Sequence, residues 1–209
     1  MSTHTDGRGL GPNVTGTGGV RALKKARTRT AIRTAAMELF ARQGYSSTTV
    51  EQIAQAAGVS HTTFFRYFQS KEQVIIGDDL QEQREASLRL IPPGLNHFDL
   101  VRHMIADLFA IGVADEWASN YDRMAVINGD PELRFAHQLE TERVITEATQ
   151  FIADYAGVPI DDLRLRVFVA AVSGVMFHIA TSGERIETDD ALPRLLAALD
   201  LLERGLPLN

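Results

Sequence analysis

Residues 30–74, TAIRTAAMELFARQGYSSTTVEQIAQAAGVSHTTFFRYFQSKEQV, decide the fold. Ile32, Ala35, Ala36, Leu39 and Phe40 fall at i, i+3, i+4, i+7 and i+8, the apolar stripe of an amphipathic helix over about 24–43. Gly44 suits a left-handed C-cap and stops that helix. Thr48 opens the next one with Glu51 three residues on, a capping-box spacing, and Val50, Ile53, Ala54 and Ala57 keep the helical period until Gly58. Ser60 caps a third short helix over 61–68, in which Phe64 and Phe68 lie one turn apart and share the inward face. Its outward face is then His61, Thr62, Phe65 and Arg66.

Two short capped helices joined by a glycine-containing turn make a helix-turn-helix, whose second helix enters the DNA major groove. The outward set suits that task. Arg66 can bond guanine, and Thr62 or Thr63 can touch a thymine methyl or a phosphate. Thr48 and Thr49, at the positive end of their own helix, and Lys71, at the start of the next, are placed for phosphates. Ser70-Lys71-Glu72-Gln73 starts a fourth helix expected to run unbroken toward Leu90, where Ile91-Pro92-Pro93-Gly94 breaks it. Such a rod would join the two halves of the chain and act as the lever between them.

The formal net charge of −6 over 209 residues hides a strong asymmetry. Up to Gly77, ten Lys and Arg face four carboxylates, a net +6; beyond it eleven face twenty-three, a net −12. A basic N-terminal third on an acidic body is expected when one segment meets a polyanion. There is no cysteine, which excludes disulfides and thiolate chemistry. The richest apolar run, 167–180, is too short for a membrane span and carries Ser173, Gly174 and His178, and 1–19 lacks the apolar core of a signal peptide. The expectation is a soluble, cytoplasmic protein with no membrane partner.

The same 45 residues closely resemble the DNA-binding domain of TetR-family regulators. The likeness is carried by the Gly44-Tyr45 turn, the Thr48-Thr49 helix start, Gly58-Val59-Ser60, and the aromatic third helix followed by Ser70-Lys71-Glu72. It implies a homodimer whose recognition helices enter successive major grooves of a palindromic double-stranded DNA operator. It also implies a small-molecule effector bound by the C-terminal helices, and a repressor released by that effector. Carried over by position, it gives His61, Thr62, Thr63, Phe65 and Arg66 as base-contacting, and Thr48, Thr49, Tyr67 and Lys71 as backbone-contacting. Position 65 is often tyrosine in the family, so Phe65 lacks a hydroxyl donor and offers only stacking or a methyl contact.

The rest of the chain reads as helices over about 96–114, 115–128, 131–156, 161–181 and 189–203. Asp115 and Asp161 serve as N-caps, Pro131 opens a first turn, and Gly157 and Gly183 act as stops. The fold is therefore all-α: a flexible arm over 1–20, a three-helix helix-turn-helix domain over 21–77, and a helical effector-binding and dimerisation domain over 78–209. The helix over 167–180 is apolar nearly all round, and the last helix carries a leucine face. The two are expected to form the dimer interface, through Ala170, Ala171, Gly174, Leu195, Leu199 and Leu202.

Effector contacts are expected from large residues with polar tips in apolar helices: Trp117, Tyr121, Arg123, Met124, His137, Phe168 and His178. Trp117-x5-Arg123 followed by Pro131-Glu132-Leu133 resembles the effector domain of regulators associated with mycofactocin gene clusters, which implies a small hydrophobic or acyl-CoA-like ligand. No cofactor, metal or catalytic residue is expected. None of His97, His103, His137 and His178 sits at a helical ligand spacing, and there is no Gly-rich phosphate loop. The competing possibility is an architectural protein that binds any duplex with equal affinity.

Overall fold

A computed structural model of the chain describes residues 17–77, 79–181 and 188–206. The described residues are helical, with no strand among them: α1 (Thr17–Gln43), α2 (Val50–Ala56), α3 (His61–Tyr67), α4 (Lys71–Ile76), α5 (Gln81–Leu88), α6 (His97–Ala114), α7 (Tyr121–Gly129), α8 (Pro131–Ala156), α9 (Leu163–Thr181) and α10 (Thr188–Glu203). The chain divides into two compact units between Val74 and Ile75. The arm expected over 1–20 lies outside the described residues up to 16, and 17–20 already belong to α1. Gly183 also lies outside them.

In the first unit the amphipathic stripe of α1 buries Ile32, Ala35, Ala36, Leu39 and Phe40 against Ile53 and Ala54 of α2, Phe64 and Phe68 around α3, and Val74. Ser60 caps α3, its Oγ accepting from the Thr63 amide at 3.1 Å. The cap of α2 falls one residue later than expected. Thr49 accepts from the Gln52 amide, and the Gln52 side chain accepts from the Thr49 amide at 3.0 Å. Thr48 is buried instead, its hydroxyl donating to the Gly44 carbonyl at 2.8 Å. Gly44, at φ +82°, makes the sharp exit from α1 that a side chain would strain.

Lys71 fastens this turn. Its ammonium donates to the carbonyls of Tyr45 (3.1 Å) and Thr48 (3.2 Å) and lies 4.1 Å from the centre of the Tyr45 ring. The Tyr45 hydroxyl in turn donates to Glu72 at 2.5 Å. Burial pushes the Glu72 carboxyl up, but hydrogen bonds from Ser70 and Tyr45 and the Lys71 charge outweigh it, leaving the group below its ordinary value.

The long fourth helix expected from the sequence is interrupted. α4 ends at Ile76 and α5 begins at Gln81, with Gly77 and the aspartates 78 and 79 between them in sequence. Glycine is a poor helix former and aspartate competes for its own backbone, so apolar spacing alone does not carry a helix through this stretch.

The second unit gathers Leu100, Val101 and Ile105 of α6, Ile152 and Ala153 of α8, Leu165 and Val172 of α9, and Leu199 of α10 into one core. Asn96 caps α6, Pro131 opens α8 behind the Asp130 cap, and Gly157 closes α8 at φ +66°. Two starts shift from expectation. Asp115 bonds the Ala118 amide within a turn, and α7 is capped by Asn120. Asp162, not Asp161, accepts from the Arg164 amide at the start of α9. Arg102 ties α6 to α10 through Asp200 at 2.7 Å and through Glu203.

The Lys71 tie yields a stability prediction. Lys71→Ala strips the Thr48 carbonyl of its side-chain donor, leaves the Tyr45 carbonyl with the Thr48 amide alone, and removes a cation over an aromatic ring, and should destabilise the first unit by about 1–3 kcal/mol. Thermal unfolding followed by circular dichroism checks this, and an unchanged transition would show the tie to be energetically silent.

Candidate nucleic-acid interface and effector site

α3 is only seven residues long, and Phe64 (0 % exposed) and Phe68 (2 %) fix which side faces out. His61, Thr62, Phe65 and Arg66 are all exposed, as the helical period required. Thr63 is half-buried, and its hydroxyl accepts from Ser60 at 2.9 Å, so it is partly committed to the cap. The Phe65 ring is 43 % exposed, stacks edge-on with His61 at 4.7 Å and touches Phe64 at 5.4 Å. His61 Nε2 lies 3.4 Å from Glu51 of α2. Arg66 leans over the half-buried Tyr67 ring at 5.4 Å and leaves its guanidinium in solvent.

The expected backbone contacts separate into two groups. Thr49 is exposed at the head of α2 and Tyr67 is half-buried beside Arg66. Thr48 cannot reach a phosphate, because it is 1 % exposed with its hydroxyl turned to Gly44. Lys71 directs two of its three donors at carbonyls of its own domain, so its first role is structural. Sequence spacing missed this because a lysine opening a helix looks the same whether it faces solvent or caps a turn.

In the second unit the residues expected around an effector do not form one site. Trp117, Arg123 and His137 come together: the Arg123 guanidinium lies 5.7 Å from the Trp117 ring centre, and its charge acts on His137. Burial pushes the His137 imidazole down, Arg123 adds to this and Glu140 opposes it, so the ring is held neutral at neutral pH. Arg123 Nε donates to the Ile75 carbonyl at 2.5 Å, tying α7 to the last turn of α4. Met124 is half-buried and Tyr121 is 70 % exposed on the same short helix.

Phe168 lies elsewhere. It packs edge-on against His97 (5.0 Å) and Phe98 (5.2 Å) at the first turn of α6, whereas Trp117 follows the last, and α6 is about 27 Å long at 1.5 Å per residue. His178 is exposed about 15 Å further along α9 than Phe168 at the same rise. The sequence also missed an open, largely apolar cleft of about 380 Å³ between Leu108, Phe109, Gly112 and Val113 of α6, Ala118 and Ser119 of the following turn, and Ala191 of α10. Apart from the small Ser119, its lining residues lack polar tips, and large residues with polar tips were the candidates chosen.

The surfaces expected for dimerisation also divide. Ala170, Ala171 and Gly174 of α9 are exposed. Leu199 is 0 % exposed, and Leu195 and Leu202 pack beside it on the core, so the leucine face of α10 closes its own unit first. The outward side of α10 carries Pro193, Ala197 and Leu201 instead. On α9, Leu163 (73 % exposed), Val167 (60 %), Ala170, Gly174 and Phe177 (68 %) are outward at spacings of four, three, four and three. That is the 3.5-residue repeat of a helix–helix seam.

Among the described residues no helix is long and apolar enough to cross a membrane, and no group of three or more His, Asp or Glu side chains gathers as a metal site.

Comparison with known proteins agrees with this geometry. Residues 32–76 match the family described as bacterial regulatory proteins, tetR family, and residues 95–207 match the MftR C-terminal domain. The chain is 31 % identical over 191 residues to the HTH-type transcriptional regulator TcmR of Streptomyces glaucescens, covering 87 % of this chain and 84 % of that one. It is 30 % identical over 176 residues to MftR of Mycobacterium tuberculosis, assigned as a mycofactocin biosynthesis transcriptional regulator, covering 82 % and 87 %. Among solved structures it is similar to FadR of Thermus thermophilus, a TetR-family transcriptional repressor in complex with lauroyl-CoA, with 27 % identity, a TM-score of 0.50 and coverage of 87 % and 96 %. The chain belongs to the TetR family of transcriptional regulators.

Proposed function

We propose that this regulator is a ligand-responsive repressor, binding a near-palindromic operator as a homodimer and released by a small hydrophobic or acyl-CoA-like effector. The carrying observation is the outward face of α3. His61, Thr62, Phe65 and Arg66 are presented together on a helix locked by Phe64 and Phe68, which suits base readout in a major groove. Thr49 and Tyr67 are the supporting backbone contacts.

The α9 seam supports the homodimer. A run of exposed apolar residues at coiled-coil spacing, with Ala170 and Gly174 small enough for close approach, suits a symmetric copy, and two-fold symmetry matches a palindrome. For the effector, the support is the likeness to the lauroyl-CoA-bound repressor together with the apolar α6 cleft. Arg123 supplies a cation beside Trp117 and also holds the end of α4, so a ligand acid competing for that guanidinium would act on the helix that carries Lys71. The effector can shift operator affinity only by as much as it discriminates between the two states of the protein.

The test begins with selection of a binding site from random duplexes, followed by mobility shift against random competitor at about physiological salt. A regulator prefers its operator by a factor of about a thousand or more. Lauroyl-CoA is then added, and release of the selected duplex, with no release by free coenzyme A, is the expected result. Equal affinity for all duplexes would instead identify an architectural protein.

Two variants refine this. Arg66→Ala should lose about 1–3 kcal/mol of discrimination at one base position of the selected site, leaving affinity for random duplex nearly unchanged. Val167→Glu places a charge in the α9 seam and should yield a monomer by sedimentation, with cooperative occupancy of the two half-sites lost.

A further inference from the structure

α1 is 27 residues long, yet its buried stripe begins only at Ile32. The first turns, 19–27, have every side chain exposed, so nothing within the domain requires them to be there. They carry Arg21, Lys24, Lys25 and Arg27, and the first carboxylate on α1 is Glu38. Among the described residues no carboxylate pairs with these four cations.

Their arrangement is directional. Arg21, Lys25 and Thr28 precede Ile32, Ala35 and Leu39 at alternating spacings of four and three, so they prolong the very stripe that packs α1 onto the rest of its domain. Lys24 borders this stripe, one helical turn before Thr28, whose hydroxyl donates to the Lys24 carbonyl at 3.0 Å. Arg27 lies well round the helix, beside the exposed Val20 and Leu23.

The stripe also has a fixed position with respect to α3. Arg29 stacks over the ring of Phe68, the residue that closes α3, at 4.6 Å from its centre, and Arg33 lies over the same ring at 5.7 Å. Lys25 is about 6 Å and Arg21 about 12 Å further along the α1 axis at 1.5 Å per residue. The cations thus lie about 6–12 Å along α1 from the point where Arg29 meets Phe68, a span that compares with one major-groove width of about 12 Å.

We propose that Arg21, Lys24 and Lys25 form a second DNA-contacting element, a helical extension that binds backbone phosphates beyond those reached through α2 and α3. This rests on the proposal that α3 occupies the major groove. Phosphates are the occupant that fits, because the face is cationic and lacks the broad apolar side by which a helix lies in a lipid surface. The contacts are independent of sequence, so they add affinity and register and leave base preference to α3.

The experiment measures binding of the full-length protein to a 30-base-pair random duplex and to the selected operator between about 50 and 200 mM salt. Each lost phosphate contact lowers the slope of log K against log salt by about 0.9. Arg21→Gln/Lys24→Gln/Lys25→Gln should lower it by about two to three on both duplexes, so the variant loses roughly ten- to fortyfold less affinity than the parent across that range. The preference for operator over random duplex should be retained. Arg27→Gln should leave the slope nearly unchanged.

A triple variant with the parental slope, and an unaltered melting transition, would overturn the extension while leaving α3 readout intact. Equal effects of Arg27→Gln and Lys25→Gln would overturn it as well, in favour of a diffuse charge effect. If the parent protein binds neither duplex, the DNA-binding proposal itself falls.

Discussion

A helix of seven residues has too few hydrogen bonds to offset its own nucleation, so α3 exists only because its inner face is buried. Phe64 and Phe68 supply that burial, and each neighbouring feature of the first unit serves to hold them. Ile32, Ala36 and Leu39 of α1 form one wall and Ile53 and Ala54 of α2 another, while the guanidinium groups of Arg29 and Arg33 cover the Phe68 ring. With the aromatic side fixed, the opposite side has no freedom left: His61, Thr62, Phe65 and Arg66 must face outward together. Base readout depends on side chains held in register, and a seven-residue helix can supply that only through its packing.

The turn leading into α2 is under a related constraint. Gly44 turns the chain sharply, and the Lys71 ammonium donates to the Thr48 carbonyl and adds a second donor to the Tyr45 carbonyl, which also accepts from the Thr48 amide. Tyr45, Lys71 and Glu72 make a compact polar unit at the edge of an apolar core, in which the tyrosine serves as ring for the cation and as donor for the carboxylate. A residue type associated with phosphate contact is thereby drawn into structure. The phosphate-facing cations are then to be sought where no internal partner competes for them, as on the first turns of α1.

The second unit obeys a different economy of surface. α6, α8, α9 and α10 share one core, and α10 directs Leu195, Leu199 and Leu202 into it. α9 is apolar on more sides than this core covers, and the excess emerges as the outward seam from Leu163 to Phe177. The α6 cleft is lined by small and aliphatic side chains and by Phe109, and the Trp117, Arg123 and His137 group joins an aromatic, a cation and a neutral imidazole to the end of α4. An apolar seam, an apolar cleft and a cation tied to a helix end are separate features, and the proposed ligand-responsive dimer would have a use for each.

The sequence by itself determined the helical period of α1 to α3, the Ser60 cap, the inward aromatics and the outward set, because each depends on residues within one or two turns of one another. It also determined the charge asymmetry and the likeness to TetR-family regulators, both borne by contiguous stretches. Only the tertiary structure decided that Thr48 is buried and Lys71 engaged, since their partners, at Gly44, Tyr45 and Thr48, compete with solvent through packing that local spacing does not encode. The same holds for Leu199, whose periodicity fits core and interface equally, and for the break between Ile76 and Gln81. The residues expected around an effector were the least legible: a cleft is the space between helices, and Phe168 and Trp117, both large and aromatic, belong to opposite ends of α6 because of how the chain folds back on itself.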